Sequence, residues 1–126
     1  MAVDNQYKES ALTDKLIGTA FDVYKQIGSK YPEKIYQEAY KNKLEDCGLK
    51  YRKELYCKLE CDGKRVGFFK LDFLIENKVV VELKVRNEIF NADIAQLLTY
   101  MRLNKISVGL ILAFAKNKVL IKRLVL

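Results

Sequence analysis

Asp72, Glu82 and Lys84 are the residues of this chain whose types and spacing could do chemistry. They fall in two β-rich runs, Phe68 to Ile75 and Val79 to Val85, joined by the polar turn Glu76-Asn77-Lys78, a pattern that predicts a hairpin. The second run, Val79-Val-Val-Glu-Leu-Lys-Val85, is nearly all apolar, as in a strand covered on both faces. Side chains alternate along a strand, so Glu82 and Lys84 share one face while Val81 and Leu83 take the other. Burying an unpaired charge costs several kcal/mol, so these charges need partners, a bound ion or solvent. With Asn77 at the centre of the turn, Asp72 sits opposite Glu82 on the same face, where the two carboxylates can share a cation. A two-residue loop would put Asp72 on the wrong face, because a slip of one residue inverts every side chain. Two readings stand open on these residues alone: a metal-binding hairpin, or a solvated polar stripe.

The elements that must position these residues follow from pattern. Ser10 or Thr13 can cap a first helix, in which Leu12, Leu16, Ile17, Ala20, Val23, Tyr24 and Ile27 recur at helical spacing until Gly28. Pro32 suits the start of a second helix, with Ile35, Tyr36, Ala39, Tyr40 and Leu44 inward and Gly48 as its stop. Strands are predicted over Tyr51 to Glu60, Val66 to Ile75 and Val79 to Val85, with an Asp62-Gly63 turn between the first two. A third helix carries Ile89, Ile94, Leu97, Leu98 and Met101 inward, and strands over Ser107 to Phe114 and Val119 to Val125 complete the chain. The order ααβββαββ implies an α/β fold with a central mixed sheet flanked by helices. The strand–helix–strand unit in its middle makes its two strands parallel.

The chain has 126 residues, one domain's worth, and half of them are hydrophobic, enough for an ordinary core. The first ten residues read as a loose, polar N-terminus without the apolar centre of a signal peptide. No apolar run approaches the roughly 20 residues of a membrane span. A cytoplasmic protein with no membrane partner is expected. Cys47, Cys57 and Cys61 cannot all pair internally, and with no histidine in the chain they do not make a four-ligand metal site. The absence of histidine also excludes His-metal and His-base hydrolases. Net charge is +7, and all of the excess lies in residues 51–126, which hold 15 Lys/Arg against 8 Asp/Glu. A basic half points to a polyanionic partner.

Three further residues are candidates by position. Glu33, in the first turn of the second helix, is placed well against the helix dipole or reaches toward the hairpin carboxylates. Gln96 and Tyr100 lie four apart on the third helix and share a face, which is either a polar helix margin or a part of the same site.

Together, Gly28-Ser-Lys-Tyr-Pro-Glu-Lys-Ile-Tyr36-Gln-Glu-Ala, Asp72, Glu82-Leu-Lys84, Ala95-Gln-Leu-Leu-Thr-Tyr100 and Ile121-Lys-Arg-Leu-Val-Leu126 resemble the GxxExxY protein family of the PD-(D/E)XK nuclease superfamily. The resemblance covers about residues 12–126. It implies a restriction-endonuclease-like core in which Glu33, Asp72, Glu82 and Lys84 are the catalytic set, and Gln96 and Tyr100 match the Gln-x-x-x-Tyr element of RecB-like nucleases. The implied activity is Mg²⁺-dependent hydrolysis of DNA, with Mn²⁺ able to substitute. Asp72, Glu82 and the carbonyl of Leu83 would hold the ion, with Glu33 reaching it through water or holding a second one. The alternative is a non-catalytic module that keeps the fold and holds nucleic acid or a protein. Lys30 stands where the family's motif begins with glycine. A lysine at positive φ costs on the order of 1 kcal/mol, so the loop before Glu33 is expected to take a different shape. The apolar run Val119 to Leu126 is expected at a sheet edge, where a second copy can pair to form a homodimer.

Overall fold

A computed structural model describes residues 8–126. The expectation of a loose segment over the first ten residues therefore lies mostly outside the described residues, and Ser10 already opens the first helix. The elements are α1 (Ser10–Ile27), α2 (Glu33–Asp46), β1 (Tyr51–Cys61), β2 (Lys64–Ile75), β3 (Val79–Lys84), α3 (Asn91–Asn104), β4 (Val108–Phe114) and β5 (Val119–Val125). The ααβββαββ order read from pattern is the observed one. The five strands form one mixed sheet in chain order, with β3 and β4 parallel and every other neighbouring pair antiparallel.

Periodicity explains the layers. Leu16, Ala20 and Val23 of α1 and Tyr36, Tyr40 and Leu44 of α2 pack on one face of the sheet against Phe73, Val79, Val81, Leu83, Leu110 and Leu112. Leu97, Tyr100 and Met101 of α3 pack on the other face against Leu55, Leu71, Leu74, Val80 and Ile111. The central strands β3 and β4 are thus sandwiched between helices, which is why β4 reads as an unbroken apolar run and β3 as one interrupted only by Glu82 and Lys84. Gly109 permits the approach of α3. A Cβ there would stand 2.8 Å from Met101 Sδ and 3.0 Å from Leu97 Cδ2.

Several expectations shift at element ends. Ile35 is exposed, because the buried stripe of α2 runs through Tyr36, Tyr40 and Leu44. Ile89 precedes α3, which starts only after Phe90. There the Asp93 carboxylate accepts a hydrogen bond from the Phe90 N–H at 2.9 Å and fixes the first turn. Cys57 is buried and Cys61, beyond the bulge at Leu59/Glu60, is exposed.

The β1–β2 ribbon changes layer along its length. Phe73 belongs to the α1/α2 core, yet Leu71, two residues away on the same strand, belongs to the α3 core. The pivot lies at Glu54 and Asp72. Ladder pairs run Arg52↔Leu74 and Lys53↔Phe73, then resume at Leu55↔Leu71, and the skipped Glu54 sits at φ 56. On the other side of β2, pairing with β3 stops at Phe73↔Val81. The ribbon leaves the sheet at this point, and a cleft opens between β2 and β3.

Candidate functional site

The hairpin register is Ile75↔Val79, Leu74↔Val80 and Phe73↔Val81, with Glu76 and Asn77 both at positive φ in the turn. That register is centred on Asn77. Its next step puts Asp72 opposite Glu82, just beyond the last ladder pair. The Asp72 carboxylate takes over where backbone pairing ends: Oδ2 accepts from the Leu83 N–H at 2.8 Å, and Oδ1 accepts from Gln37 Nε2 at 2.8 Å. Glu82 is only 4% exposed, and its Oε2 lies 3.7 Å from Lys84 Nζ. Glu33, Asp72, Glu82 and Lys84 together line one open cleft of about 460 Å³, with Lys34, Gln37, Glu54 and Lys70 completing its wall.

Helix α2 delivers Glu33. Pro32 and the loop from Gly28 set the helix start, and the loop is tied down by Tyr36. The Tyr36 hydroxyl donates to the Gly28 carbonyl, and its ring stacks on Phe114 with centroids 4.3 Å apart. Gly28 and Lys30 both take positive φ, at 71° and 85°. Lys30 therefore takes the left-handed backbone that a glycine adopts readily, so at this residue the lysine accepts the strain and keeps a glycine-like conformation. Glu33 lines the cleft from the first turn of α2, and Gln37, one turn on, reaches Asp72. Arg86 closes the neighbouring wall with Tyr31, Glu33 and Lys84. Asp93 holds it through paired bonds of 2.8 and 2.7 Å, and its guanidinium stands 4.5 Å from the Phe90 ring centroid.

Electrostatics follow from crowding. Burial, then the adjacent Asp72 carboxylate, holds the Glu82 carboxyl well above the usual range, although Lys84 pulls the other way. Burial, and then Asp72, also raises Glu33. The Arg86 hydrogen bonds lower Asp93. Three carboxylates and one ammonium thus meet where water is partly excluded, and the charged form of Glu82 is disfavoured without a further cation.

The donor set suits a hard divalent cation. All of its donors are oxygen, from Asp72, Glu82 and Glu33. The N–H and C=O of one strand residue point to the same neighbouring strand. The Leu83 N–H is bonded to Asp72, so the Leu83 carbonyl faces the same gap. Among the described residues, no three His, Cys, Asp or Glu side chains are gathered closely enough to cage an ion by themselves. Mg²⁺ does not require such a cage, since it is held by one or two carboxylates plus waters and substrate phosphates.

Gln96 and Tyr100 are not brought into the cleft. Asp93, Leu97, Tyr100 and Met101 form the buried side of α3, so Tyr100 packs in the α3 core while Gln96 lies exposed on the helix margin. Lys34, Gln37, Glu54 and Lys70 line the cleft without being marked by a motif in the sequence, and Arg86 stands on the neighbouring wall. Gln37 had a signal, since it lies four residues after Glu33 and so shares its helix face. Glu54 had none, because its place in the cleft depends on the pivot in β1. Arg86 lies in the connection between β3 and α3, where no periodicity assigns a face.

Residues 10–124 match the sequence model of a family described as the PD-(D/E)XK nuclease superfamily. No curated protein matches the chain. Among solved structures, the crystal structure of SSO0001 is similar, with a TM-score of 0.56 and 17% sequence identity over 95% of this chain and 60% of that one. This chain thus spans 60% of that protein's length, and the likeness at this identity is one of fold.

Proposed function

The chain belongs to the PD-(D/E)XK nuclease superfamily, and from that premise we propose that it is a Mg²⁺-dependent nuclease hydrolysing phosphodiester bonds of DNA, with Mn²⁺ able to substitute. One observation carries the reading. Asp72 is set opposite Glu82 at the place where β2 and β3 part, with Lys84 beside Glu82 and Glu33 across the same cleft. Asp72, Glu82 and the Leu83 carbonyl would hold the cation, and Glu33 would reach it through water. When bound, the ion neutralises charge on the phosphate and makes a water nucleophilic at neutral pH. Lys84 orients that water and offsets the charge that develops on the phosphate. Gln37 and the Leu83 N–H fix the Asp72 carboxylate, so that its orientation is set before substrate arrives. Arg86, at the edge of the cleft, is placed to take a substrate phosphate oxygen.

The positive φ of Lys30 supports the narrower kinship with GxxExxY proteins, since the loop keeps a glycine-like shape. Among the described residues no helix is long and apolar enough to cross a membrane. β5 is the sheet edge on which a second copy would pair. A second reading, a non-catalytic nucleic-acid- or protein-binding module, draws on the placement of Gln96 and Tyr100 outside the cleft.

Cleavage of plasmid, linear and single-stranded DNA with Mg²⁺ or Mn²⁺ separates the two readings. Lys84→Ala should lose about 10²–10³ in rate or more, with DNA binding nearly unchanged because many other phosphate contacts remain. Equal trace cleavage by wild type and Lys84→Ala would mark that cleavage as contamination and leave the binding module.

A further inference from the structure

Beyond the pivot, the β1–β2 ribbon presents one face to α3 and the other to solvent. Leu55, Cys57, Phe69 and Leu71 turn toward α3. Tyr56, Lys58, Phe68 and Lys70 occupy the alternate positions, and all four are exposed. Cross-strand partners lie in rows on this outer face: Tyr56 faces Lys70, and Lys58 faces Phe68. The Tyr56/Lys70 row lies two residues from the Glu54 and Asp72 positions, about 7 Å along the ribbon. Lys70 belongs to both settings, since it also lines the cleft. The outer face is therefore a track that begins at the metal-binding carboxylates.

Two large aromatic rings stand on this track without a core to enter. Tyr56 is 55% exposed and Phe68 is 52% exposed, and their centroids lie 5.7 Å apart. Arg65 extends the platform, with its guanidinium 4.9 Å from the Phe68 centroid. Lys58 and Lys70 flank the rings, and Lys34, Lys53 and Lys70 line the adjoining end of the cleft. Rings alternating with cations fit a chain that alternates flat bases with phosphates.

We propose that the outer face of the β1–β2 ribbon is a stacking platform for a single-stranded nucleic-acid segment that runs into the cleft at Asp72. The proposal rests on the nuclease reading for its direction, and it narrows the substrate to DNA with an unpaired stretch beside the scissile phosphate. A duplex offers phosphates and groove edges, and its base faces are covered by their neighbours. Only an unpaired base can lie on Tyr56 or Phe68. Every base has a π-face, so such a platform tolerates any sequence.

The test is binding of fluorescein-labelled oligothymidylate, and separately of a blunt duplex, to wild type and to Tyr56→Ala/Phe68→Ala, in EDTA so that nothing is cut. Loss of each ring should weaken oligothymidylate binding about tenfold, with duplex affinity unchanged. The double swap Tyr56→Phe/Phe68→Tyr keeps both rings and should bind like wild type. Both side chains are half in solvent, so the alanine variant should melt cooperatively at a modestly lower temperature through loss of the cross-strand pair, and the ring-preserving swap at the wild-type temperature, which separates lost stacking from lost folding. Equal oligothymidylate binding by wild type and the alanine variant would overturn the proposal, as would an equal loss for the duplex or no oligothymidylate binding by wild type. Self-association that vanishes in the alanine variant, with oligonucleotide binding intact, would instead make the rings a contact between copies. None of these failures touches Lys84-dependent cleavage, so the platform and the nuclease reading fall separately.

Discussion

Glu82 is where the needs of the fold and those of the site conflict. The β3 position that carries it is 4% exposed, and Asp72 and Glu33 add negative potential that Lys84 only partly offsets. Its folded pKa is raised, so between the unfolded value of about 4.3 and the folded one the native state holds a proton that the unfolded state has released. Stability of the metal-free protein therefore falls as pH rises through that window. Glu82→Gln copies the protonated carboxyl in shape and keeps a donor for Asp72. It should raise the melting temperature of the metal-free protein at neutral pH and flatten the pH dependence above about pH 4.3. Mn²⁺ should stabilise wild type in proportion to the logarithm of its concentration and should leave Glu82→Gln nearly unmoved. Thermal melting across pH, with and without Mn²⁺, checks all three. A wild type insensitive to Mn²⁺ would remove the metal from the reading of this site. The acid side has the opposite sign. Arg86 lowers the pKa of Asp93, so that pair stabilises the fold above about pH 3.9 and its contribution fades as pH falls further.

At the scale of elements, two backbone positions do the placing. Lys30, at φ 85, accepts strain in the loop that ends at Glu33. Lys30→Gly relieves about 1 kcal/mol of it, against a comparable loss from a more flexible unfolded chain. Stability should therefore change by less than about 1 kcal/mol, whereas Lys30→Val, stiff at Cβ, should destabilise clearly; chemical denaturation measures both. Gly109 sets how closely α3 lies on β4. Gly109→Ala puts a methyl against Met101 and Leu97 and should cost about 1–3 kcal/mol by overpacking. These two positions also mark what was legible in the sequence. Periodicity gave the element order, and the strand–helix–strand unit gave the parallel β3–β4 pair. A three-residue turn gave the Asp72–Glu82 register, because alternation leaves a single choice of face. The change of layer at Glu54 was illegible, since it arises where β2 loses β3 as a partner and the ribbon twists toward α3. With it went the roles of Glu54 and Lys70. Gln96 and Tyr100 were separated from the cleft by the rotation of α3 about its own axis, which depends on how Leu97 and Met101 seat against Gly109.

At the scale of the molecule, the uneven charge of the sequence becomes an uneven surface. Of the basic residues beyond position 50, Arg52, Lys53, Lys58, Lys64, Arg65 and Lys70 all lie on the β1–β2 ribbon, at one edge of the sheet. Lys122 and Arg123 lie on β5, at the other edge. The carboxylate cleft opens between β2 and β3, so a polyanion drawn to that cleft meets the ribbon cations on one side and has β4 between it and β5 on the other. Salt dependence can tell the two edges apart. Each phosphate contact releases counterion and contributes about 0.7–0.9 to the slope of log affinity against log salt, the lower value holding for single strands. Lys53→Gln and Lys70→Gln should each reduce the oligothymidylate slope by about 0.7. Lys122→Gln makes the same change in net charge from the far edge and should leave the slope alone, with at most a small uniform loss of affinity at low salt. Fluorescence anisotropy at several salt concentrations reads both quantities. Equal slopes for Lys70→Gln and Lys122→Gln would mean that nucleic acid responds to the net charge of the whole molecule, and the ribbon would lose its claim to guide it.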